Sequence, residues 1–431
     1  MSSNSSRRVF LGAATAAAAQ RVMGANDRVN VVVIGLGGRG RDHVVNYASL
    51  SDICNISGVC DVNQAAREKA QAQVQKLGGA KPNEYDNMKK VFADKSVDAV
   101  SIATPNHWHA LATIWACQAG KDVYVEKPAC YNIYEGTRMV ETARKYGRMV
   151  QVGSQSRSIP HKIRAMQMLR EGAIGKIYLA KGICYKRRKS IGHAPELDMP
   201  PAGIDWDQFL GPAPMRKFTE LRFAYNWHWF WDTGNGDIGN QGVHEMDIAR
   251  WGTGLGWPKS VVSTGGKFVY QDDQETPNTQ FTTFDYGNGQ QIQFEVRGLP
   301  SGPEWPLKKT GTNTVGDVFY GSDGILAIDS ESFQIYKGEE LKLSESSKTD
   351  GKIWDTKGHM ENFLKAVKSR NYKDLNAELE IGVLSAGLCH LANISYRTGK
   401  KLDFDASKLK FIGAPDADKL LTRDYRKPYV V

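Results

Sequence analysis

The stretch "VVVIGLGGRG", residues 31–40, decides how the rest of the chain is read. A run of valine and isoleucine feeds Gly35-Leu36-Gly37-Gly38-Arg39-Gly40, a fit to G-x-G-x-x-G. In such a turn the first glycine permits the tight reversal. The second lets the backbone approach a pyrophosphate, and the third lets helix and strand pack closely. Alone the pattern is weak, and its context strengthens it. A buried strand precedes it, a helix follows, and Asp61 closes the next strand. An acidic side chain there accepts hydrogen bonds from ribose hydroxyls and repels a 2′-phosphate, so NAD is expected ahead of NADP. Arg39 and Arg67 keep NADP open as the alternative.

Outward from this turn, short β-branched runs alternate with helical stretches. "ISGVCDV", "VDAVSIAT", "DVYVEKP" and "RMVQVGS" read as strands, and 63–77, "HALATIWACQAG" and 133–146 as helices. Strand, helix, strand repeated predicts a parallel sheet covered on both faces, a Rossmann domain over 28–154. Beyond 155 the strand-like segments "KIYLAKGICY", "PKSVVSTGGKFVY", "TQFTTFDYGNGQQIQFEVRG", "GDVFYGSDGILAID" and "SFQIYKGEELKL" are joined by Gly/Asn turns. They predict an open, mainly antiparallel sheet flanked by helices, a second domain over 155–431 for substrate binding and oligomerisation. Helices are expected at 355–369 and 376–397, the latter packing on this sheet or returning to the first domain.

The N-terminus carries "SSRRVFLGA" (5–13) and then an alanine run, the pattern of a twin-arginine export signal over 1–25. A periplasmic or otherwise exported protein follows as the expectation. No apolar stretch reaches the length of a spanning helix, so membrane insertion is not expected. The net charge of +9 is modest and spread along 431 residues. The dense run Lys186-Arg187-Arg188-Lys189 reads as a solvated loop or an anionic-substrate rim rather than a nucleic-acid patch. Six cysteines show no C-x-x-C pair or metal-ligand spacing, which predicts buried free thiols and no metal.

Three further motifs carry a family likeness. "ATPNHWH" (103–109), "EKP" (126–128) and "GNGDIGNQGVHEMD" (234–247) follow the glycine turn in order, and "HMENFLKAV" and "CHLANISYRTGK" close the chain. Together they resemble the Gfo/Idh/MocA oxidoreductases, from about residue 28 onward. The resemblance implies nicotinamide and a sugar or polyol meeting between the two domains. It also implies a cofactor set of Gly35, Gly37, Gly38, Arg39, Gly40, Asp61, Thr104, Pro105, Asn106, His109, Glu126 and Lys127. In the family the E-K-P lysine reaches the substrate hydroxyl, which maps to Lys127, and the following proline, Pro128, is often a cis turn that aims it. A cation there stabilises a developing alkoxide. The third motif's histidine maps to His244, the candidate base, with Asp247 on the same helical face to orient the ring. Most members carry an aspartate four residues earlier, where this chain has Asn240. Asparagine holds a hydroxyl or an imidazole without lending it charge, and Asp237 substitutes only if the backbone there turns differently. Lys127, Asn240 and His244 therefore form the catalytic set. Tyr185, Trp227 and Trp229 join them as substrate-binding residues, since "NWHWFWDTG" offers flat faces to a pyranose ring. "PPAGIDWDQFLGPAP" (200–214) reads as a lid or wall.

These residues predict an NAD(P)-dependent oxidoreductase of a sugar, sugar derivative or polyol hydroxyl, acting as a dimer or tetramer. Export of a folded protein demands a tightly bound, internally recycled nicotinamide. One alternative is a redox-neutral glycoside hydrolase on the same fold. Another is a sugar-binding protein impaired in chemistry, motivated by Asn240 and opposed by the presence of Lys127 and His244.

Overall fold

The computed structural model describes residues 27–348 and 356–431; the twin-arginine reading over 1–25 lies outside them. Six parallel strands, β1 (Val29–Ile34), β2 (Cys54–Cys60), β3 (Asn83–Tyr85), β4 (Ala99–Ile102), β5 (Asp122–Val125) and β6 (Val150–Val152), lie in the order β3-β2-β1-β4-β5-β6. The order reverses beside β1, so the crevice at its carboxyl end is the switch point where dinucleotides bind. Helices α1 (Gly38–Ala48), α2 (Gln64–Lys76), α3 (Met88–Ala93), α4 (Asn106–Gln118) and α5 (Ile133–Tyr146) cover this sheet. β3, of three residues, and α3, of six, are too short to show a period in the sequence.

The second sheet has ten strands. β7 (Ile177–Tyr185) is followed by β8 (Ser260–Gly266), β9 (Thr279–Asp285), β10 (Gln291–Arg297), β11 (Thr314–Gly321) and β12 (Gly324–Ile328). β13 (Ser332–Lys337), β14 (Lys342–Lys348), β15 (Leu402–Asp405) and β16 (Lys410–Phe411) complete it. It is antiparallel except where β10 runs parallel to β7. One face packs on α6 (Pro160–Arg170), α8 (Val243–Thr253) and α10 (Leu379–Thr398) through Met166, Met246, Phe294, Phe319 and Leu391.

Two C-terminal helices tie the two sheets together. α9 (Lys357–Ser369) returns to the Rossmann domain, where Met360, Phe363 and Leu364 join the core of β1. α10 packs on both sides, with Val383 and Ala386 in the Rossmann core and Leu388 and Leu391 in the other. All six cysteines are buried free thiols. Among the described residues no helix is long and apolar enough to cross a membrane, and no cluster of His, Cys, Asp and Glu is placed to hold a metal.

A buried ion pair ties the segment after β6 to α8. Arg157, in the turn after β6, donates from Nε and Nη2 to Asp247 on α8 at 2.8 and 2.9 Å, and Ser385 Oγ donates to the same carboxylate at 2.6 Å. Asp247 is therefore tied to Arg157 and Ser385 and is not the partner of His244 that helical spacing suggested. Removing one partner strands a buried charge. Arg157→Met is expected to cost about 3–5 kcal/mol, read as a lowered urea midpoint.

Candidate active site

The glycine turn is shaped by close approach. Gly35 sits at φ 85°, and a Cβ there would stand 2.7 Å from the carbonyl of Ala103 at the end of β4. A Cβ on Gly40 would stand 1.8 Å from the Gly35 oxygen. At Gly37 and Gly38 a Cβ would meet nothing within 4 Å, and no side chain caps α1. Free N–H groups at a helix start facing open space make an anion cradle. Asp61 accepts from the Leu36 N–H at 2.6 Å and the Asn63 N–H at 2.8 Å, one on each oxygen, leaving lone pairs for ribose hydroxyls. Burial raises its carboxyl, against the pull of those two donors. Thr104 Oγ1 is buried with no partner in the same cleft, an orphaned polar atom that a nucleotide would satisfy. Arg39 is taken by Glu126 at 2.8 Å, and Arg67 by Glu84 at 2.7 Å and the Asp61 carbonyl. Neither is left for a 2′-phosphate. The residues present fit NAD.

Two joined clefts follow. The adenosine side encloses about 1090 Å³ between Asp61, Thr104, Pro105, Trp108, Phe209, Trp227 and Tyr429. The far side encloses about 1600 Å³ between Gly37, Arg39, Asn106, His109, Glu126, Lys127, Tyr225, His228 and Asn240. The 200–214 segment forms the roof of the first. Its helix α7 (Trp206–Leu210) stacks Trp206 on Phe209 and packs Phe218 and Phe223 against Val62. The "PNHWH" motif anchors this roof: the Trp108 indole N–H donates to the Phe209 carbonyl at 3.0 Å, and His107 Nε2 lies 2.9 Å from the same oxygen. His107 is thus a pin, as is Asn106, whose amide donates to Asn235 at 3.0 Å. From the other side Arg426 donates to Asp207 and to the Gly211 carbonyl, while the Tyr429 ring meets Trp108 at 5.4 Å.

At the far cleft the Lys127–Pro128 peptide is cis. Lys127 Nζ donates to the Asn240 carbonyl at 2.7 Å. Asn240 lies in a π-helical turn, Ile238–Gly242, that runs into α8. Its amide donates to the Tyr225 hydroxyl at 3.1 Å and reaches Asp237 Oδ1 at 3.4 Å. The turn thus sets Asp237 beside Asn240, but Arg188 grips that carboxylate at 2.7 and 3.1 Å. Burial pushes the Lys127 ammonium down to about 8, opposed by Glu126. His244 is held well below its usual value by burial and then by Lys127. Among the described residues its ring makes no hydrogen bond. His109 lines the cleft with both ring nitrogens facing carbonyls, Pro128 at 2.7 Å and Thr104 at 2.8 Å.

Two expected substrate residues stand elsewhere. Tyr185 points to the opposite face of the ten-stranded sheet, where its hydroxyl donates to Glu295 at 2.8 Å and to Glu304. Trp229 is buried at 4% exposure, with Arg188 5.3 Å above its ring. Trp227 remains at the junction of the clefts, stacked on His228 with centroids 3.5 Å apart. Tyr225 carries no signal in the sequence, whereas Arg188 belongs to the four-cation run expected as a solvated loop or an anionic-substrate rim and is bound to Asp237.

The family description "Oxidoreductase family, NAD-binding Rossmann fold" matches residues 29–154, and two C-terminal descriptions of the same family match 205–324 and 321–431. The chain belongs to the Gfo/Idh/MocA family. Its Rossmann domain is an NAD-binding one. A "Glycosyl hydrolase family 109 protein" of Shewanella is 27% identical over 155 residues, 35% of this chain and 34% of that protein. One from Saccharopolyspora erythraea is 26% identical over 220 residues, 50% of this chain and 42% of that protein. The chain thus spans between a third and a half of these curated relatives. Among solved structures, the WlbA dehydrogenase of Bordetella pertussis with NADH and UDP-GlcNAcA superposes with a TM-score of 0.64 at 18% identity. The alignment covers 88% of this chain and 99% of that one. Levoglucosan dehydrogenase with NADH and levoglucosan gives 0.66 at 18%, with the same coverage. At these identities the likeness shows the Gfo/Idh/MocA fold.

Gly40→Ala is expected to open the glycine turn, because its methyl would overlap the Gly35 oxygen. Nucleotide carried through purification, measured by mass spectrometry, should fall sharply in that variant.

Proposed function

We propose that the protein oxidises and re-reduces a hydroxyl group of a sugar, sugar derivative or polyol, with a nicotinamide dinucleotide that stays bound between turnovers. The observation that carries this reading is the convergence of Lys127, Asn240 and Tyr225 at the mouth of a cleft whose other half fits NAD. When bound, NAD supplies the hydride acceptor. The protein's own work is the proton. His244, kept neutral by burial, takes it from the substrate hydroxyl, and the Lys127 ammonium stabilises the oxygen that loses it. Asn240 and Tyr225 offer an amide and a hydroxyl to the neighbouring substrate oxygens.

Retention draws support from the roof, which is pinned by His107, Trp108, Arg426 and Tyr429 over the adenosine side. Retention suits export through a twin-arginine leader, since a folded protein would carry its nucleotide with it. The outer face of the second sheet presents Val262 and Phe281 at 38% and 43% exposure, a surface for a second copy in a homo-oligomer.

A second reading has its own support. The curated relatives named as family 109 glycosyl hydrolases share the Rossmann segment, and a retained dinucleotide equally serves a glycosidase with no net redox change.

Lys127→Met is expected to keep its nucleotide and lose turnover by about 10²–10³-fold. In the wild type the ammonium is lost as pH rises through about 8, so kcat/KM for oxidation should fall above that pH. Equal turnover in the variant would remove the role given to Lys127. For the second reading, an aryl glycoside panel should release free sugar with no added acceptor; no release across α- and β-linked hexosides would leave the oxidoreductase alone.

A further inference from the structure

Lys186 follows the last residue of β7, and because Tyr185 turns to the outer face, Lys186 turns back toward the π-helical turn that carries Asn240. Its Nζ donates to Gln241 Oε1 at 3.3 Å, and Gln241 is the neighbour of Asn240 in the π-helical turn. Lys127 donates to the Asn240 carbonyl from the other side. Two ammonium groups therefore flank one turn, each bonded only to a neutral oxygen. Lys186 helps depress the Lys127 ammonium, behind burial and Arg39, while Glu126 and Asp237 act the other way.

The acids nearby are already engaged. Asp237 is gripped by Arg188, and Glu126 by Arg39 and His43. Glu245 accepts from the Gln241 amide at 3.2 Å, and burial pushes its carboxyl up to about 7. Arg187 is spent on the Tyr270 hydroxyl and the carbonyls of Arg188 and Gly298. Among the described residues no carboxylate lies within ion-pair distance of Lys127 or Lys186. Adjacent half-buried cations with no carboxylate in contact are stabilised when an anion arrives between them.

We propose that the counter-charge arrives with the substrate: the cleft takes a sugar acid, a hexuronate, whose carboxylate pairs with Lys186 while its hydroxyl lies at Lys127. This rests on the reading of the cleft as a sugar site. A single ammonium beside an amide suits a monoanionic carboxylate. A phosphate dianion favours a forked guanidinium or a helix start, and the guanidinium at hand, Arg188, is already forked onto Asp237.

The test uses the dinucleotide-loaded protein and calorimetric titration with glucuronate, galacturonate and mannuronate, their parent hexoses, and glucose 6-phosphate. At least one hexuronate is expected to bind about tenfold or more tightly than its parent hexose, the difference one charge-assisted hydrogen bond makes. Lys186→Gln should close that gap, and Gln241→Glu, which supplies an internal carboxylate, should close it independently. Retained nucleotide reports that each variant is folded. Hexoses binding as well as the acids, a gap that survives both substitutions, or preference for the phosphate would each overturn the proposal and leave the sugar reading standing. Binding of none of these sugars would overturn both.

Discussion

The carboxylate of Glu126 is the constraint on which the site depends. It is buried at 4% exposure and accepts from four directions: Arg39 of the glycine turn at 2.8 Å, His43 at 3.0 Å, Gln155 at 3.1 Å and the Lys127 backbone N–H at 3.2 Å. Burial works to raise this carboxyl, yet Arg39, His43 and Lys127 together hold it well below the usual range. A buried charge so satisfied cannot move without stranding several partners. It therefore fixes the end of β5 against the start of α1, and with them the point from which Lys127 reaches across to Asn240. Gly153 completes the fit, since a Cβ there would stand 2.8 Å from the Glu126 carboxyl carbon.

The same logic separates what was legible in the sequence from what was not. Gly35, Gly40 and Asp61 could be read because their roles are local: a turn, a close approach, a strand end. The alternating strands and helices of the first domain were legible for the same reason, and the motif set around Lys127 and His244 carried the resemblance. Tyr185 and Trp229 could not be placed, because which face a strand residue takes, or whether an aromatic run is platform or packing, depends on what the rest of the chain brings to it. His107 and Trp108 show this most clearly. Their motif looked like a nucleotide loop, yet their ring nitrogens hold the carbonyl of Phe209, about a hundred residues on. Asp247 satisfied the spacing for a partner of His244 and was claimed instead by Arg157, ninety residues earlier in the chain.

Asn240 also changes meaning in three dimensions. Its side chain lacks the charge most of its family carries there, but the negative charge has not left the site. It sits one turn earlier on Asp237, where Arg188 neutralises it. Burial and the Lys127 ammonium lower the basicity of His244, and the carboxylate that opposes them is Glu126 of the other sheet rather than a partner at position 240. The cleft keeps Lys127 and Lys186 in excess, so its field favours electron-rich ligands over neutral ones.

The π-helical turn Ile238–Gly242 gives the chain a counting problem. A turn of this kind holds one residue more than an α-helical register would. Deleting any of the five would let α8 extend smoothly backward, and everything before the deletion would swing by about 100° around the helix axis. Asp237 would leave Arg188, and where the deletion falls after Asn240 its carbonyl would leave Lys127 as well. A substitution within the turn therefore changes one side chain and leaves the register, whereas a three-nucleotide deletion shifts the register of the site in a single event.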